Sequence, residues 1–137
     1  MVSLKEAQEK ISRYQVLGEK LKMYDNRRQL LSARIAEVEM CQSTLSEVEE
    51  NKETIVPIGG GVFIKAVIKD SDKMIYMISR DTAVEMDKEK IKENMQKNKK
   101  TLEEALNMIE NDMMKIQEEM MKLEPEIRSF IEKQQSG

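Results

Sequence analysis

The three consecutive glycines Gly59-Gly60-Gly61 come nearest to a chemical site in this sequence, because glycine-rich turns can cradle phosphate with backbone amides. The surrounding residues exclude that chemistry. A Walker loop needs Gly-Lys followed by Ser or Thr, whereas Lys65 is preceded by Ile64 and followed by Ala66. A dinucleotide fingerprint needs a further glycine at position 64 and the start of a helix, and this segment enters a strand. The triplet therefore reads as a positive-φ connection between strands. Histidine is absent and Cys41 is the only cysteine, which removes histidine-based triads, zinc clusters and an intrachain disulfide. Cys41 falls beside a helical seam but off its core positions and is assigned no role. Glu47, Glu49, Glu50, Glu118 and Glu119 lie on lysine-rich stretches as solvated helix-surface partners, and Glu103, Asn107 and Glu110 form no convincing ligand set. The expectation is a protein with no catalytic residues, no cofactor and no metal, hence not an enzyme.

Methionine is the other chemically distinctive residue, with 12 in 137. Met113 and Met120 belong to an apolar helical seam. Met108, Met114 and Met121 fall instead at heptad positions c, b and b, where a solvated coiled coil normally carries charge. An exposed, flexible thioether can repack against many apolar partners, which suits promiscuous binding. A widened seam, or a neighbouring helix in an assembly, would account for the same positions.

Those residues need elements to hold them, and composition says which. Charged residues make up 36% and hydrophobic ones 39%, with 5 Gly, 2 Pro, 3 Tyr, 2 Phe and no Trp. That is the balance of long solvated helices rather than of one round core. The net charge is −3 and the two signs are interleaved, so no basic stripe is offered to nucleic acid. No apolar stretch is long enough to span a membrane. The charged, periodic opening residues and single cysteine lead to the expectation of a cytoplasmic protein.

From about Lys5 to Glu50 the residues are mostly strong helix formers, with Gly18 as the only glycine. Tyr14, Leu21, Arg28, Ile35 and Gln42 fall at heptad position a, and Leu17, Tyr24, Leu31, Val38 and Leu45 at d. Arg28 and Gln42 either fix the register or reach around the seam to water. A second helix is expected from Asp87 to Gln134, where Leu102, Leu106, Ile109, Met113, Ile116, Met120, Leu123, Ile127 and Phe130 follow unbroken steps of 4 and 3. Pro125 predicts a kink or restart within it.

Between the helices, residues 54–86 turn β-branched and lose helical spacing. Four short strands are expected at Ile55–Ile58, Val62–Lys69, Met74–Ser79 and Thr82–Met86. The second and third read as a hairpin across Asp70-Ser71-Asp72-Lys73. Pro57 places the first at an edge, and the face carrying Val62, Ile64, Ala66 and Ile68 is expected to be buried. Such hairpins bury too little to stand alone, so their edges and faces should pair with another subunit. The oligomerisation residues expected are Ile55, Val56, Ile58, Val62, Phe63, Ile64, Val67, Ile75 and Ile78. The whole is α+β, mainly α: one domain over 1–137, with helix 1–50, a β insert over 54–86 and helix 87–134. The helices would form a long antiparallel coiled-coil hairpin, with the two-hairpin insert oligomerising as a barrel-like base.

Helix, four short strands around Ile55-Val56-Pro57-Ile58-Gly59-Gly60-Gly61, and helix again: this order is similar to that of an archaeal prefoldin subunit of the α class. The local carriers are Val56 to Gly61, the strand Val62-Phe63-Ile64-Lys65-Ala66-Val67, and Val84-Glu85-Met86 leading into the second helix. The resemblance covers essentially the whole chain and favours the α class because there are two hairpins. It implies an ATP-independent holdase whose β inserts join into a double-barrel base and whose coiled-coil tips grasp non-native polypeptides for a group II chaperonin. Partners would be β-class subunits, or copies of the chain itself as in the filament-forming γ variant. Near the open tip, Val2, Leu4, Ala7 and Ile11 approach Leu123, Ile127, Phe130 and Ile131. The expected client-binding residues are Leu4, Ile11, Met114, Met121, Ile127, Phe130 and Ile131. Neither nucleic acid nor membrane is expected as a partner. A structural filament, with the helices as spacers, is the alternative.

Overall fold

The computed structural model describes residues 3–136, so Val2 lies outside the described residues. The elements run α1 (Leu4–Glu47), β1 (Glu53–Gly59), β2 (Val62–Val67), β3 (Lys73–Met77), β4 (Ala83–Asp87) and α2 (Lys88–Ser136). Two long helices thus bracket two small antiparallel sheets, a mainly helical α+β chain.

Helix α1 starts from a cap that the heptads do not advertise. Ser3 Oγ accepts the Glu6 backbone N–H at 3.2 Å, and the Ser3 carbonyl accepts that of Ala7 at 3.0 Å. Ser-x-x-Glu is the spacing of a capping box. The helix stops at Glu47, short of the expected Glu50. Beyond it Asn51 takes φ 59°, a left-handed conformation that asparagine tolerates, and donates its N–H to the Ile68 carbonyl at 2.9 Å. The chain is thereby already turned alongside β2.

Helix α2 begins where the Lys88 N–H reaches the Asp72 carbonyl at 2.7 Å, and it continues through Pro125 without restarting. Proline removes one backbone bond, but half-buried Leu123 and Ile127 anchor the helix on either side of it.

The chain divides into two compact units, one made of residues up to Arg34 and from Leu102, the other of Ile35–Thr101. In the first, α1 and α2 run antiparallel, as the Arg13–Glu119 pair at 2.9 Å and the Lys10–Glu126 pair at 2.8 Å require. Its core is the seam: Ala7, Leu17, Met113 and Ile116 are buried, Leu17 to 1% exposure. In the second unit Leu45 and Ile91 are buried, and Lys99 pairs with Glu39 at 3.6 Å. Every a and d position from Tyr14 to Leu45, and every seam residue from Leu102 to Phe130, is buried or half-buried. The two polar seam residues behave differently. Gln42 Nε2 donates to Gln96 Oε1 across the seam at 3.2 Å, which ties it to the register, whereas Arg28 turns back to Asp25 on its own helix.

Gly18 is the weak point of α1. A methyl group there would meet only Met120 Cε, at 3.8 Å, an ordinary contact. Gly18→Ala should therefore stabilise the helix by about 1 kcal/mol through propensity alone. The measurement is the thermal midpoint, expected to rise by a few degrees; a fall would mean that the seam cannot admit the methyl group.

The strands pair first with second and third with fourth, correcting the hairpin expected between the second and third. The β1–β2 register sets Glu53 opposite Val67, Val56 opposite Ile64 and Pro57 opposite Phe63, with an irregularity between Pro57 and Gly59. In β3–β4, Met74 faces Met86 and Tyr76 faces Val84. The local chemistry explains the choice. Gly59, Gly60 and Gly61 take φ of 109°, 60° and 78°, so the tight turn belongs there. Asp70 instead accepts the N–H groups of Asp72 at 2.9 Å and Lys73 at 3.1 Å. Such a side-chain-bonded bend redirects the chain into the next sheet rather than back along β2.

Candidate functional site

Within the second unit the two hairpins display apolar side chains instead of burying them. Ile55, Val56, Ile58, Val62, Phe63, Ile64, Val67, Ile75 and Ile78 are all exposed, Ile75 to 76%. These are the residues expected from the sequence to mediate oligomerisation, and Met77 is exposed beside them. The expectation errs on burial: on the face of β2 expected to be covered, Val62 and Ile64 are exposed and only Ala66, with Ile68 beyond it, is half-buried. Sheet β3–β4 is more conventional. Met74, Tyr76, Val84 and Met86 share a half-buried face, and Asn94 Nδ2 of α2 lies 3.5 Å from the Met86 sulfur. The opposite face carries Ile75 and Met77 outward. Isolated two-stranded hairpins are marginal in stability, and exposed apolar faces on them are candidate association surfaces.

The turn that shapes β1–β2 is sensitive to side chains. Valine at Gly59 or Gly61 is β-branched and would be forced to positive φ. Gly59→Val should cost about 1–3 kcal/mol of local stability and reduce protection of the β1–β2 amides in hydrogen exchange, while the helical signal is retained.

A second apolar feature lies in the first unit. Ile11, Tyr14 and Gln15 of α1 and Glu124, Ile127, Arg128, Ile131 and Glu132 of α2 line a groove of about 490 Å³. Ile11, Ile127 and Ile131, three of the expected client-binding residues, meet there. Of the remaining four, Leu4, Met114 and Met121 are exposed, Met121 to 71%, while Phe130 is half-buried in the seam. Tyr14 reads from the sequence only as a seam residue, whereas the structure also places it on the groove wall. The charged rim also goes unread, although Arg128 bonds Glu124 at 2.8 Å at a helix spacing visible in the sequence.

The charged groups make contacts within and between the helices and loops. Arg13 Nε and Nη2 donate to the two oxygens of Glu119 at 2.9 and 3.2 Å. This bonding holds the Glu119 carboxyl below the usual carboxylate range and raises the Arg13 guanidinium. Glu50, Asp70 and Asp72 bring carboxylate oxygens within 4.8 Å of one another, all exposed. Glu50 Oε1 is engaged by the Ser71 N–H at 2.9 Å and Oγ at 3.1 Å. Asp70 is held below the usual range by the N–H groups of Lys73 and Asp72. A depressed carboxyl stabilises the fold above its unfolded-state value, and the contribution is lost as pH falls through the lower folded value. The Asp72 and Lys73 amide resonances should accordingly titrate together below about pH 4, and Asp70→Ala should abolish that titration.

Among the described residues no helix is long and apolar enough to cross a membrane.

Comparison with known proteins gives these surfaces a context. The prefoldin subunit family matches residues 17–133. The chain is 35% identical over 71 residues to prefoldin subunit alpha of Methanobrevibacter smithii, covering 50% of this chain and 49% of that one. It is 35% identical over 85 residues to prefoldin subunit alpha of Pyrococcus horikoshii, covering 59% and 57%. The chain thus spans roughly half the length of these curated relatives in the aligned stretches. A cryo-EM structure of filamentous PFD from Methanocaldococcus jannaschii shares the fold, with a TM-score of 0.64 and 21% identity over 86% of this chain and 98% of that one. With most of its length matched and both long helices and both hairpins in place, this chain belongs to the prefoldin family.

Proposed function

We propose that this chain is the subunit of an ATP-independent chaperone that holds non-native polypeptides, assembling through its β hairpins and capturing clients with the ends of its helices. The observation that carries this reading is the apolar groove of Ile11, Ile127 and Ile131, together with the exposure of Leu4 and Met121 on the same two helices. Ile131, Leu4 and Met121 are exposed while Ile11 and Ile127 are half-buried, and a binder of unfolded chains needs adaptable apolar surface left uncovered. Each contact is weak, so capture depends on several arms acting on one client. No nucleotide is required, and none of the residues is placed in a catalytic role. The setting proposed is cytoplasmic, and the receiver of the client a group II chaperonin.

The test is suppression of aggregation of a chemically denatured protein, without nucleotide, by the assembled chain. Concentration-dependent suppression is expected; none in any assembled state would reject the holdase.

The filament reading draws on the exposure of apolar residues on both hairpins and on the filamentous PFD that shares the fold. Light scattering of the purified chain across concentrations separates the cases. Large, concentration-dependent masses that persist at high salt assign the hairpins to copies of the chain. A small constant mass that grows only on adding a β-class prefoldin subunit assigns them to that partner.

A further inference from the structure

We propose that the coiled-coil stretch of the first unit binds a second copy of this chain side to side, through two charge-complementary stripes on opposite flanks. On α1, Val16, Met23 and Leu30 recur every seven residues at heptad position c, all exposed. Lys20, Arg27 and Arg34 alternate with them at g, also exposed. The result is a ridge of apolar and basic residues with the spacing of a helix interface. Glu19 at f is its one acidic neighbour between positions 16 and 34 on that face.

On α2, Met114 and Met121 recur at the same seven-residue interval at position b, both exposed. Glu110, Glu118 and Glu124 flank them at e and f, also exposed. Positions b, e and f from Asn107 to Pro125 contain no basic residue, although Lys115 and Lys122 border the stripe at c. Glu124 is bonded to Arg128; Glu110 and Glu118 make no ion pair among the described residues. One ridge is apolar and basic, the other apolar and acidic, and both set their apolar residues seven apart.

The two cannot meet within one chain. Arg13 and Glu119, both at g, pair on the flank that carries the basic ridge. The groove with Ile11, Glu124 and Ile131, all at e, marks the other flank, where the acidic ridge lies. A contact between different faces of two identical chains is head-to-tail in kind and leaves a free face on each, so association is open-ended. Being rimmed by exposed charges, it is steered electrostatically and weakened by salt. It also covers Met114 and Met121, so that lateral association and client capture compete for the same methionines.

The experiment uses the full chain. Wild type should show an increase in scattering mass at low salt that high salt reverses. Arg27→Glu with Arg34→Glu should lose that increase, as should Glu110→Lys with Glu118→Lys, each raising the concentration for half association about tenfold or more. An equimolar mixture of the two variants should regain it, because the reversed ridges again match. Circular dichroism checks that both variants keep wild-type helix content. Salt-independent mass in wild type, persistence of the increase in both single-type variants, or failure of two folded variants to restore it on mixing would each overturn the proposal. Aggregation suppression is measured alongside: both variants should suppress at least as well as wild type at low salt, and its loss in both would reassign the ridges to clients. Since no methionine is altered, failure here is distinguishable from failure of the holdase reading.

Discussion

A chain carrying Val56→Lys and Ile64→Lys should remain helical but fail to assemble. These residues are direct partners across the β1–β2 ladder and project from one face, both exposed within the chain. Neither supports a core of its own subunit, so the helices lose nothing by the change. Val56 is 40% and Ile64 48% exposed, so covering what remains against another subunit is worth about half of the roughly 1.5–3 kcal/mol of full burial for each. Two per chain amount to roughly one to two orders of magnitude in the dissociation constant. Lysine adds the cost of desolvating an unpaired charge, and two lysines directly opposite one another repel. Light scattering should show the mass of the unassembled chain at concentrations where wild type is associated. The opposite face supplies the control. Lys65 lies 3.9 Å from Glu53 in an exposed pair, and Lys65→Gln should leave assembly within a small factor of wild type, since exposed pairs contribute little. If the double-lysine chain assembles normally, the interface lies on other residues.

The helical part of this architecture is legible because a heptad repeat reports its own burial. From Tyr14 to Leu45 and from Leu102 to Phe130 the residues set on the seam by period are the ones sheltered in the structure. Both partners of that seam lie in the same chain, so a single sequence contains the whole pattern. The hairpins are different. Val62 and Ile64 look like core residues by type, yet they are exposed, because none of the described residues covers them. Strand pairing departs from the sequence pattern for a local reason. Asp70-Ser71-Asp72-Lys73 has the composition of a hairpin turn, but the Asp70 side chain uses its bonds to steer the chain away from β2. The glycine triplet, with three positive φ values, forms the reversal instead. The groove residues were legible through antiparallel geometry, which brings Ile11 beside Ile127 and Ile131 once the helices return on each other. Its rim was not, because Glu124 and Arg128 resemble any surface ion pair until the groove beside them is seen.

Replacing Leu4, Met121 and Ile131 by serine should leave an assembled, folded protein that no longer prevents client aggregation. All three are exposed, Ile131 least so at 46%. Substitutions at such positions typically change stability by within about 0.5 kcal/mol, so unfolding would not explain a loss of capture. Phe130 is deliberately kept: it is half-buried on the seam, and its removal would confuse lost binding with lost helix pairing. The expected effect is large because of how the contacts combine. If each arm loses even about 1 kcal/mol, the loss is repeated on every arm that holds the same client, and the effective-concentration gain of multivalent capture collapses with it. The concentration of chain needed for half-maximal suppression should rise by about tenfold or more. Scattering mass and helical content should match wild type. Suppression undiminished in a fully assembled triple variant would remove the helix ends from client binding, leaving the hairpin faces and the remaining exposed methionines, Met108 and Met114 among them, as the surfaces to test next.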